Sequence, residues 1–581
     1  MTVPRPTLVV LVAATVALAV GISPTPLWDE DEARFAAIAR TMVETGDWVV
    51  PMFNGTLAVD KPVLMHWCMA ACMAVFGINE FAARLPSVLA TLLTALALLR
   101  AGRRWFDDAT GVVAALAYVG CILVAIESHA ATPDAILTAL TAWATLLMAE
   151  ALMPAGGSLG QIGAGRAVAV GLLLGLAVVC KGPVGFVGPL AVIGTWGWCL
   201  AVDRRLTTPA SRSLGGLLRQ TLPAVGDVLV SVRPFAVTAG AVIAAAPWYL
   251  AVHLRTHGEW TAGFFFVHNV GRFLAPMEKH SGGVLFHPLG MLVGFFPWSC
   301  YLPLAIVIAV WRVWRRPTAG RAEDSLLLLL TWLVVWVGAF SAAATKLPNY
   351  VLPAYPAAAL IVAAIGVDAA RRAAAGAWPH PRWLTTGLAA LAFGGVATAA
   401  TVLVAARYGV PGAEPAAVVG LVPVVAAIAC GLVARRRPWT AVATFTAASL
   451  AYAAIAVGPA GWRIAAANTL PGLVRDLHTR DARLTLGTYL LASPNVVFYA
   501  DDPVMQIGST SLDAAREFLE SDPSAVLLVP AQHLSDLAPH LPPGCGEVAR
   551  TRPVFRRHDV VAIGRIRDGS ARTADIRETT R

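Results

Sequence analysis

The chain has 581 residues, of which 57% are hydrophobic and only 14% are charged. Soluble globular chains carry about 25% charged residues, so this composition excludes an ordinary soluble protein. Apolar runs of roughly 18–20 residues recur and predict a polytopic α-helical membrane protein. The net charge of +9 is scattered between these runs, so we expect no nucleic-acid partner, which would need one basic soluble stretch.

The apolar runs predict thirteen membrane spans. The first run, 7–22, follows a single arginine and precedes no good small-residue cleavage site, so we interpret it as a retained span and not a signal peptide. The apolar stretch 63–76 predicts a half-span or an interfacial helix. The other predicted spans are 82–101, 110–127, 134–152, 166–179, 184–202, 235–253, 287–311, 325–344, 351–369, 383–405, 416–434 and 439–458.

Arginines cluster in alternate loops between these spans. The positive-inside rule places those loops in the cytoplasm, and places the loop 23–81 and the chain after 458 outside. The clusters are Arg100, Arg103 and Arg104; Arg166; Arg204, Arg205, Arg212, Arg219 and Arg233; Arg312, Arg315, Arg316 and Arg321; Arg371, Arg372 and Arg382; and Arg435, Arg436 and Arg437. All four lysines, Lys61, Lys181, Lys279 and Lys346, fall at the outer side. Charges at a membrane boundary are functional hypotheses by default.

The first outer loop opens with an acidic segment, "DEDEARF". Residues 31–45 predict an amphipathic helix on the membrane surface, because Phe35, Ile38 and Met42 share one face and Gly46 can end it. Carboxylates in a first turn also complement the helix dipole, for about 0.3–1 kcal/mol each, which is an alternative reason for the acids.

The motif "DKP" follows in the same loop. Asp60 and Lys61 precede Pro62, which can open a helix, and a helix N-terminus favours anions. An isolated motif of this kind also fits an ordinary surface turn.

The remaining outer segments add charged and polar residues. Asp134 begins a predicted span, where it could also be a simple N-cap, and Lys181 lies between two apolar runs, where it could also snorkel. Together the outer residues predict a cationic cavity with carboxylates, suited to a lipid phosphate. Its later members are His268, Asn269, Arg272, Lys346 and Tyr350.

The C-terminal part changes in character. The segments "RLTLGTYLL", "NVVFYA", "SAVLLVPA" and "DVVAIGR" predict strands, and "LDAAREFLES" predicts a helix. We therefore divide the chain into a membrane domain, 1–465, an extracytoplasmic α/β domain, 466–567, and a disordered tail, 568–581.

Several motifs resemble a known family. "DEARFAAIARTMVETGDWVVPMFNG" followed by "DKP" resembles the opening of the bacterial aminoarabinose lipid A transferases. It is also similar to the protein O-mannosyltransferases and other family-39-like enzymes of the GT-C fold. Further matches are "KGP" at 181–183, the N-x-x-R-F pattern at 269–273, "PWS" at 297–299 and "KLPNYVLPAYP" at 346–356.

This resemblance implies a GT-C membrane fold and a transferase of the bacterial inner membrane that faces the periplasm or cell exterior. The donor would be a polyprenyl-phosphate-linked sugar, and the acceptor a lipid, glycan or protein among the membrane lipids. Asp31 and Asp134 match acidic, catalytic positions of the family. The donor phosphate would contact Lys61, Arg34, Lys181 and Arg272, and the supporting residues would be Glu32, Asp60, His268, Asn269, Lys346 and Tyr350.

Two positions depart from the family pattern. Asp60 stands where close relatives have Glu, and His268 stands where some relatives have Glu. The resemblance implies no certain cofactor, and it leaves open a divalent metal with Asp60 and His268 as candidate ligands.

Three alternatives remain at this stage. One is an enzyme like the protein O-mannosyltransferases. Another is a transporter or flippase for lipid-linked glycans, although such proteins usually have internal repeats and midplane charges, and this sequence shows neither. A third is a relative that has lost catalysis, against which Asp31 and Lys61 argue.

Overall fold

A computed structural model describes residues 5–22, 25–28, 30–153, 159–206, 214–275, 281–315, 320–377, 381–500, 502–508, 511–554 and 556–566. Asp29, Lys279, His280 and the predicted tail 568–581 lie outside these residues. Helices dominate the described part of the chain up to about residue 465, and a mixed α/β unit follows.

The first half of the chain forms eleven helices and one short hairpin within the described residues. In order these are α1 (Arg5–Ala19), α2 (Asp31–Thr45), β1 (Met52–Phe53), β2 (Thr56–Leu57), α3 (Leu64–Phe76), α4 (Glu80–Trp105), α5 (Asp108–Val119), α6 (Ile122–Ser128), α7 (Asp134–Leu152), α8 (Ala164–Lys181), α9 (Val184–Arg205), α10 (Leu214–Val232) and α11 (Pro234–Arg255).

The second half of the helical part contains several departures from α-helix within the described residues, two of which lie next to the site residues. A π-helix (Gly263–Gly271) lies between two very short helices, and a 3₁₀ segment (Pro348–Ala354) leads into a long helix. The helices are α12 (Glu259–Ala262), α13 (Arg272–Leu274), α14 (Phe286–Gly294), α15 (Leu302–Arg315), α16 (Arg321–Ala342), α17 (Tyr355–Ala374), α18 (Pro381–Tyr408), α19 (Leu421–Val433), α20 (Pro438–Ile455) and α21 (Gly461–Ala465).

Ten helices of the described residues are long and apolar enough to cross a membrane, or eleven if the bent pair α5 and α6 is one span. Thirteen spans were predicted, so two of the predicted spans have no counterpart among these eleven. The run 7–22 forms α1, a shorter apolar helix of 15 residues. The run 287–311 is broken into α14, a short 3₁₀ segment and α15, because Phe296–Pro297 interrupts it.

Two shorter segments, 31–45 and 203–234, were predicted as a helix and a loop. The predicted helix 31–45 is confirmed as α2, with Gly46 at φ 72° ending it, whereas no side chain caps its start. Its apolar residues Phe35, Ile38 and Met42 are buried inside the protein, so this face packs on other parts of the chain and is not free to lie on a membrane surface. The region 203–234, predicted as a loop, contains the helix α10 in its described part. Its exposed Leu218 and Leu222 share the helix with polar residues, so the apolar face was too interrupted to read as a span.

The C-terminal unit is built on a five-stranded mixed sheet of order β4-β3-β5-β7-β6. Its elements are α22 (Leu470–Arg480), β3 (Thr485–Tyr489), α23 (Pro494–Tyr499), β4 (Met505–Ile507), α24 (Leu512–Ser521), β5 (Ala525–Pro530), α25 (Leu534–Leu537), β6 (Cys545–Thr551) and β7 (Val560–Arg565). The strand predicted for "NVVFYA" is wrong: this segment is α23, with Pro494 at its first position.

The C-terminal unit packs directly on the first outer loop. Arg40 of α2 donates from Nη1 to the carbonyl oxygens of Phe498, at 3.0 Å, and Ala500, at 2.5 Å. Asn54, in the β1–β2 turn, exchanges two hydrogen bonds with the backbone of Val504, of 2.8 and 2.9 Å. The helix that begins at Asp31 is therefore held on one side by residues 458 and 460 positions away from Arg40 in sequence.

Candidate functional site

Four charged residues come together where four segments of chain meet. Asp31 is the first residue of α2, Asp134 the first of α7 and Lys181 the last of α8, and Lys61 lies in the loop before α3. The Asp31 carboxylate interacts electrostatically with both lysines and with Asp134. The structure thus brings together residues that are up to 150 positions apart.

Asp31 is the unengaged carboxylate of this group. Its side chain is exposed, and it makes no hydrogen bond or ion pair with any described residue. Protein nevertheless surrounds it closely enough that desolvation raises the pKa of Asp31, with Asp60 and Asp134 adding to the rise and Lys61 opposing it most. A carboxylate in this setting is accessible to a bound molecule and is a better base than an ordinary aspartate.

The two neighbouring acids, Asp60 and Asp134, already form ion pairs with other side chains. Asp60 pairs with Arg34, with Oδ1 3.3 Å from Nη2. Asp134 is ion-paired to Lys181 and also accepts a hydrogen bond of 3.2 Å from Nδ2 of Asn349. Asp134 therefore holds the Lys181 ammonium in place, and the catalytic role that the resemblance implied for Asp134 stays a prediction.

Glu32, next to Asp31, holds the surrounding chain in place through buried contacts. It is 4% exposed and forms a buried ion pair with Arg84 of α4, with Oε2 3.0 Å from Nη2. Its carboxylate also accepts the backbone N–H groups of Trp28, at 2.8 Å, and Ala131, at 2.7 Å. Glu32 therefore joins the chain before Asp31 to the loop before Asp134.

Lys61 is a cation without a carboxylate ion pair in the described part of the chain. Its Nζ donates at 3.3 Å to the backbone oxygen of Asp60. Burial lowers the pKa of Lys61, although the Asp60 and Asp31 charges oppose this. An arriving phosphate would favour the charged ammonium and satisfy its remaining N–H groups.

Tyr350 links the other two cations of the site. The Lys181 Nζ lies 5.2 Å from the centroid of the Tyr350 ring, and Nη1 of Arg272 donates to the Tyr350 hydroxyl at 3.2 Å. Arg34 lies over Phe53, 5.1 Å from its ring centroid. Aromatic contacts of this kind hold cationic groups in place without neutralising their charge.

The remaining predicted residues have other roles. Asn269 donates at 2.8 Å to Phe264 within the π-helix and packs beside Gly182, which follows Lys181. His268 lies half-buried on the same π-helix. Lys346 is 4% exposed and donates to the carbonyl oxygens of Phe340 and Ser341, so it caps the end of α16.

A metal site does not assemble from the described residues. Asp60 is held by Arg34, and no group of three His, Cys, Asp or Glu side chains in these ranges converges closely enough to bind an ion.

Three polar residues of the site were missed by sequence reasoning. Arg84 lies inside a predicted apolar span, where a buried charge is costly and is itself a signal of function. Asn349 adjoins Tyr350 in the motif quoted above. Glu127 is 8% exposed, accepts a 3.0 Å hydrogen bond from Thr132, and interacts with Asp134.

Comparisons with known proteins show what the chain is similar to as a whole. Residues 60–222 match the family described as "Dolichyl-phosphate-mannose-protein mannosyltransferase". A protein of Aeromonas hydrophila named "Undecaprenyl phosphate-alpha-4-amino-4-deoxy-L-arabinose arabinosyl transferase" is 32% identical over 62% of this chain and 59% of its own length. A protein of the same name from Pseudomonas paraeruginosa is 32% identical over 64% of this chain and 61% of its own length.

Each alignment thus spans about three fifths of the length of these curated relatives. Among solved structures, ArnT from Cupriavidus metallidurans superposes with a TM-score of 0.75 when bound to undecaprenyl phosphate and 0.73 in the apo state. The match covers 96% of this chain and 97% of that chain, at 22% and 21% identity. The protein therefore has the fold of ArnT and resembles the GT-C glycosyltransferases that include the aminoarabinose transferases and O-mannosyltransferases.

Proposed function

We propose that this protein is a membrane glycosyltransferase that moves a sugar from a polyprenyl-phosphate donor to a lipid acceptor of the lipid A kind. The observation that carries the proposal is the unengaged Asp31 carboxylate beside Lys61 and Lys181, with Arg272 close enough to act on Lys61. The names of the curated relatives support the donor class. The acceptor class rests on the resemblance of the sequence motifs to those of the lipid A transferases. The apolar helices support a multi-pass membrane protein, and the bacterial sources of the relatives are consistent with the inner membrane.

The cations serve the leaving group in this scheme. The bond between the anomeric carbon and the phosphate oxygen breaks, and the lipid phosphate departs with the electron pair. Lys61, with Arg272 and Lys181 held by Tyr350 and Asp134, would stabilise the negative charge on that phosphate. Preorganised cations in a site with little water act more strongly than the same cations in bulk solvent.

Asp31 serves the acceptor. An acceptor oxygen forms the new bond to the anomeric carbon on the face opposite the departing phosphate, so the configuration inverts. If the acceptor is a hydroxyl, Asp31 takes its proton, a contribution of about 10²–10⁴-fold. If the acceptor is itself a phosphate, no proton has to leave, and Asp31 orients the sugar and the acceptor.

The site would face the periplasm or the cell exterior. Arg371 and Arg372 lie at the end of α17 opposite Tyr350, which precedes its start, and arginine-rich ends face the cytoplasm in most membrane proteins. On this side no nucleotide-sugar donor is needed, because the donor is carried by a membrane lipid.

Reconstituted transfer tests the proposal. The purified full-length chain in liposomes would receive undecaprenyl-phosphate-linked 4-amino-4-deoxyarabinose and lipid A, and mass spectrometry would follow the modified lipid A. We expect sugar transfer by the wild type and none by Asp31→Asn or Lys61→Ala. Equal transfer by both variants would refute the site, and donor movement between leaflets without transfer would favour a flippase.

A protein O-mannosyltransferase-like activity is the second candidate. The family match at residues 60–222 carries a name of that kind, and it includes Lys61 and Asp134. Polyprenyl-phosphate mannose with a Ser/Thr-rich peptide, offered in the same liposomes, separates the two candidates. Transfer to the peptide and not to lipid A would replace the first candidate by the second.

A further inference from the structure

A large cavity lies at the end of the bundle opposite the candidate site. Its volume is about 820 Å³, within the range of about 300–1,000 Å³ that is usual for ligand pockets. Its walls come from α5, α15 and α17–α20, and most of the lining side chains are apolar. Val307, Trp311 and Trp383 line it and are 64%, 50% and 42% exposed, so the cavity opens on the lipid-facing surface of the bundle.

The depth of the cavity matches one leaflet of a bilayer. On α17, the lining extends from Val362 to Ala373, which is about 16 Å at 1.5 Å per residue. Half of a hydrocarbon core of about 30 Å is about 15 Å. The other end of α17 begins at Tyr355, beside the candidate site, so the cavity and that site belong to opposite leaflets.

The mouth of the cavity is strongly cationic. Arg312 and Arg372 line it and both pair with Asp368, the latter at 2.9 Å. Three exposed arginines, 435–437, form the turn between the lining residues Ala434 and Pro438. The arginines at this rim therefore outnumber the one acid that lines the cavity, and an anion is the complementary occupant.

Gly366 provides an independent sign that the cavity is kept open. It is the one exposed residue of α17 between Tyr355 and Ala370, and it lines the cavity. A Cβ atom built on it would meet nothing within 4 Å. Glycine destabilises a helix interior relative to alanine, so a glycine facing free space leaves room that a side chain would fill.

We propose that this cavity binds one anionic phospholipid from the leaflet opposite the candidate site, with acyl chains between α15, α17, α18 and α20 and the phosphate against the arginines of the rim. Basic pockets between membrane helices at the cytoplasmic side are a recurrent way to hold such headgroups. This lipid is distinct from the donor and the acceptor, and its binding does not depend on the proposed activity.

Lipid retention by the purified full-length chain tests the proposal. The protein would be reconstituted in nanodiscs of phosphatidylcholine with a minor fraction of phosphatidylglycerol, extracted in mild detergent, and analysed by native mass spectrometry. We expect one phosphatidylglycerol per wild-type chain, and at least a tenfold lower occupancy in Gly366→Leu, whose side chain fills the cavity. Gly338→Leu is the matched control, because Gly338 also faces open space on α16 but does not line the cavity.

The charge of the rim is tested separately on an exposed turn, where folding is not at risk. Replacing Arg435, Arg436 and Arg437 together by Gln should weaken phosphatidylglycerol binding about a hundredfold, since each arginine near an anionic headgroup changes an affinity about fivefold. Replacing all three arginines by Lys should leave phosphatidylglycerol binding unchanged. Equal phosphatidylglycerol occupancy in Gly366→Leu and Gly338→Leu would overturn the proposal. So would binding of phosphatidylcholine as strong as that of phosphatidylglycerol, or a polyprenyl phosphate found in the cavity in its place.

Discussion

Arg84 and Glu32 form a buried ion pair beneath the first turn of α2, with Nη2 and Oε2 3.0 Å apart. Arg84 also donates from Nη1 to the backbone oxygen of Thr25, at 2.8 Å, and from Nη2 to that of Pro26, at 3.1 Å. The pair therefore fixes the chain on both sides of the turn that presents Asp31. Loss of this pair should therefore affect both the stability of the protein and the position of Asp31.

Replacement of Arg84 by Met should destabilise the protein and abolish transfer together. The substitution leaves the Glu32 carboxylate buried without its partner, and breaking a buried pair in this way costs about 3–5 kcal/mol. Thermal unfolding of the purified protein in detergent measures the loss. Arg103→Met is the matched control, because its ion pair with Asp108 is exposed and such pairs contribute about 0–1 kcal/mol. Equal effects of the two substitutions would contradict the structural role.

Asp31→Asn and Asp60→Asn should change stability in opposite directions. The pKa of Asp31 is raised by desolvation, so the fold disfavours its ionised form and Asn should raise the melting temperature at neutral pH. Desolvation also acts on Asp60, but Lys61 and Arg34 together outweigh it and lower the pKa of Asp60, so Asn should lower the melting temperature. Differential scanning fluorimetry of the two variants decides this, and shifts of the same sign would refute it.

The pH dependence follows from the same two shifts. As the pH falls through the raised pKa of Asp31, the cost of its charge disappears. The stabilisation from Asp60 is lost at lower pH, as the pH falls through its lowered pKa. With a hydroxyl acceptor, the transfer rate of the wild type should therefore begin to fall, as the pH is lowered, at a pH above the usual pKa of an aspartate. A rate that falls only at the usual aspartate pKa would count against Asp31 as the base.

Much of this arrangement could be predicted from local sequence. The position of α2 followed from the spacing of Phe35, Ile38 and Met42, and Gly46 ended the helix as expected. Asp134 at the start of α7 and Lys181 at the end of α8 followed from where the apolar runs stop. Charges at the ends of spans are visible in a sequence because the apolar runs around them are long.

Pairings across the chain could not be predicted in this way. Nothing in the neighbourhood of Asp134 indicates that it pairs with Lys181, or that Asn349 reaches it from a position 215 residues away. The helix α23 was mistaken for a strand because its apolar residues, including Phe498, contact α2 and not only the C-terminal sheet. Such contacts depend on tertiary packing, which outweighs local propensity.

Asp134→Asn should reduce transfer less than Asp31→Asn does. Asp134 acts through Lys181, so the substitution should raise KM for the donor more than it lowers kcat. Because the two side chains form one ion pair, Asp134→Asn and Lys181→Met should be non-additive, with a coupling energy of about 0.5–3 kcal/mol. Steady-state kinetics of the single and double variants measure this coupling, and strictly additive effects would mean that the pair does not act as a unit.

Tyr499→Phe should lower transfer even though Tyr499 belongs to the C-terminal unit. Its hydroxyl donates at 2.9 Å to Glu80 and accepts at 2.8 Å from the backbone N–H of Leu27, four residues before Asp31. The substitution keeps the ring and leaves that buried N–H without a partner, at a cost of about 1–3 kcal/mol. The start of α2 would then be held less firmly, and the transfer rate should fall with the melting temperature.

Tyr489→Phe is the control for this prediction. Tyr489 lies in β3 of the same unit and is 2% exposed, but its hydroxyl makes no hydrogen bond among the described residues. Both substitutions remove one hydroxyl from a tyrosine of the C-terminal unit, so a difference between them reports the link to Leu27. If Tyr489→Phe lowers transfer as much as Tyr499→Phe does, the C-terminal unit contributes general stability and not the position of Asp31.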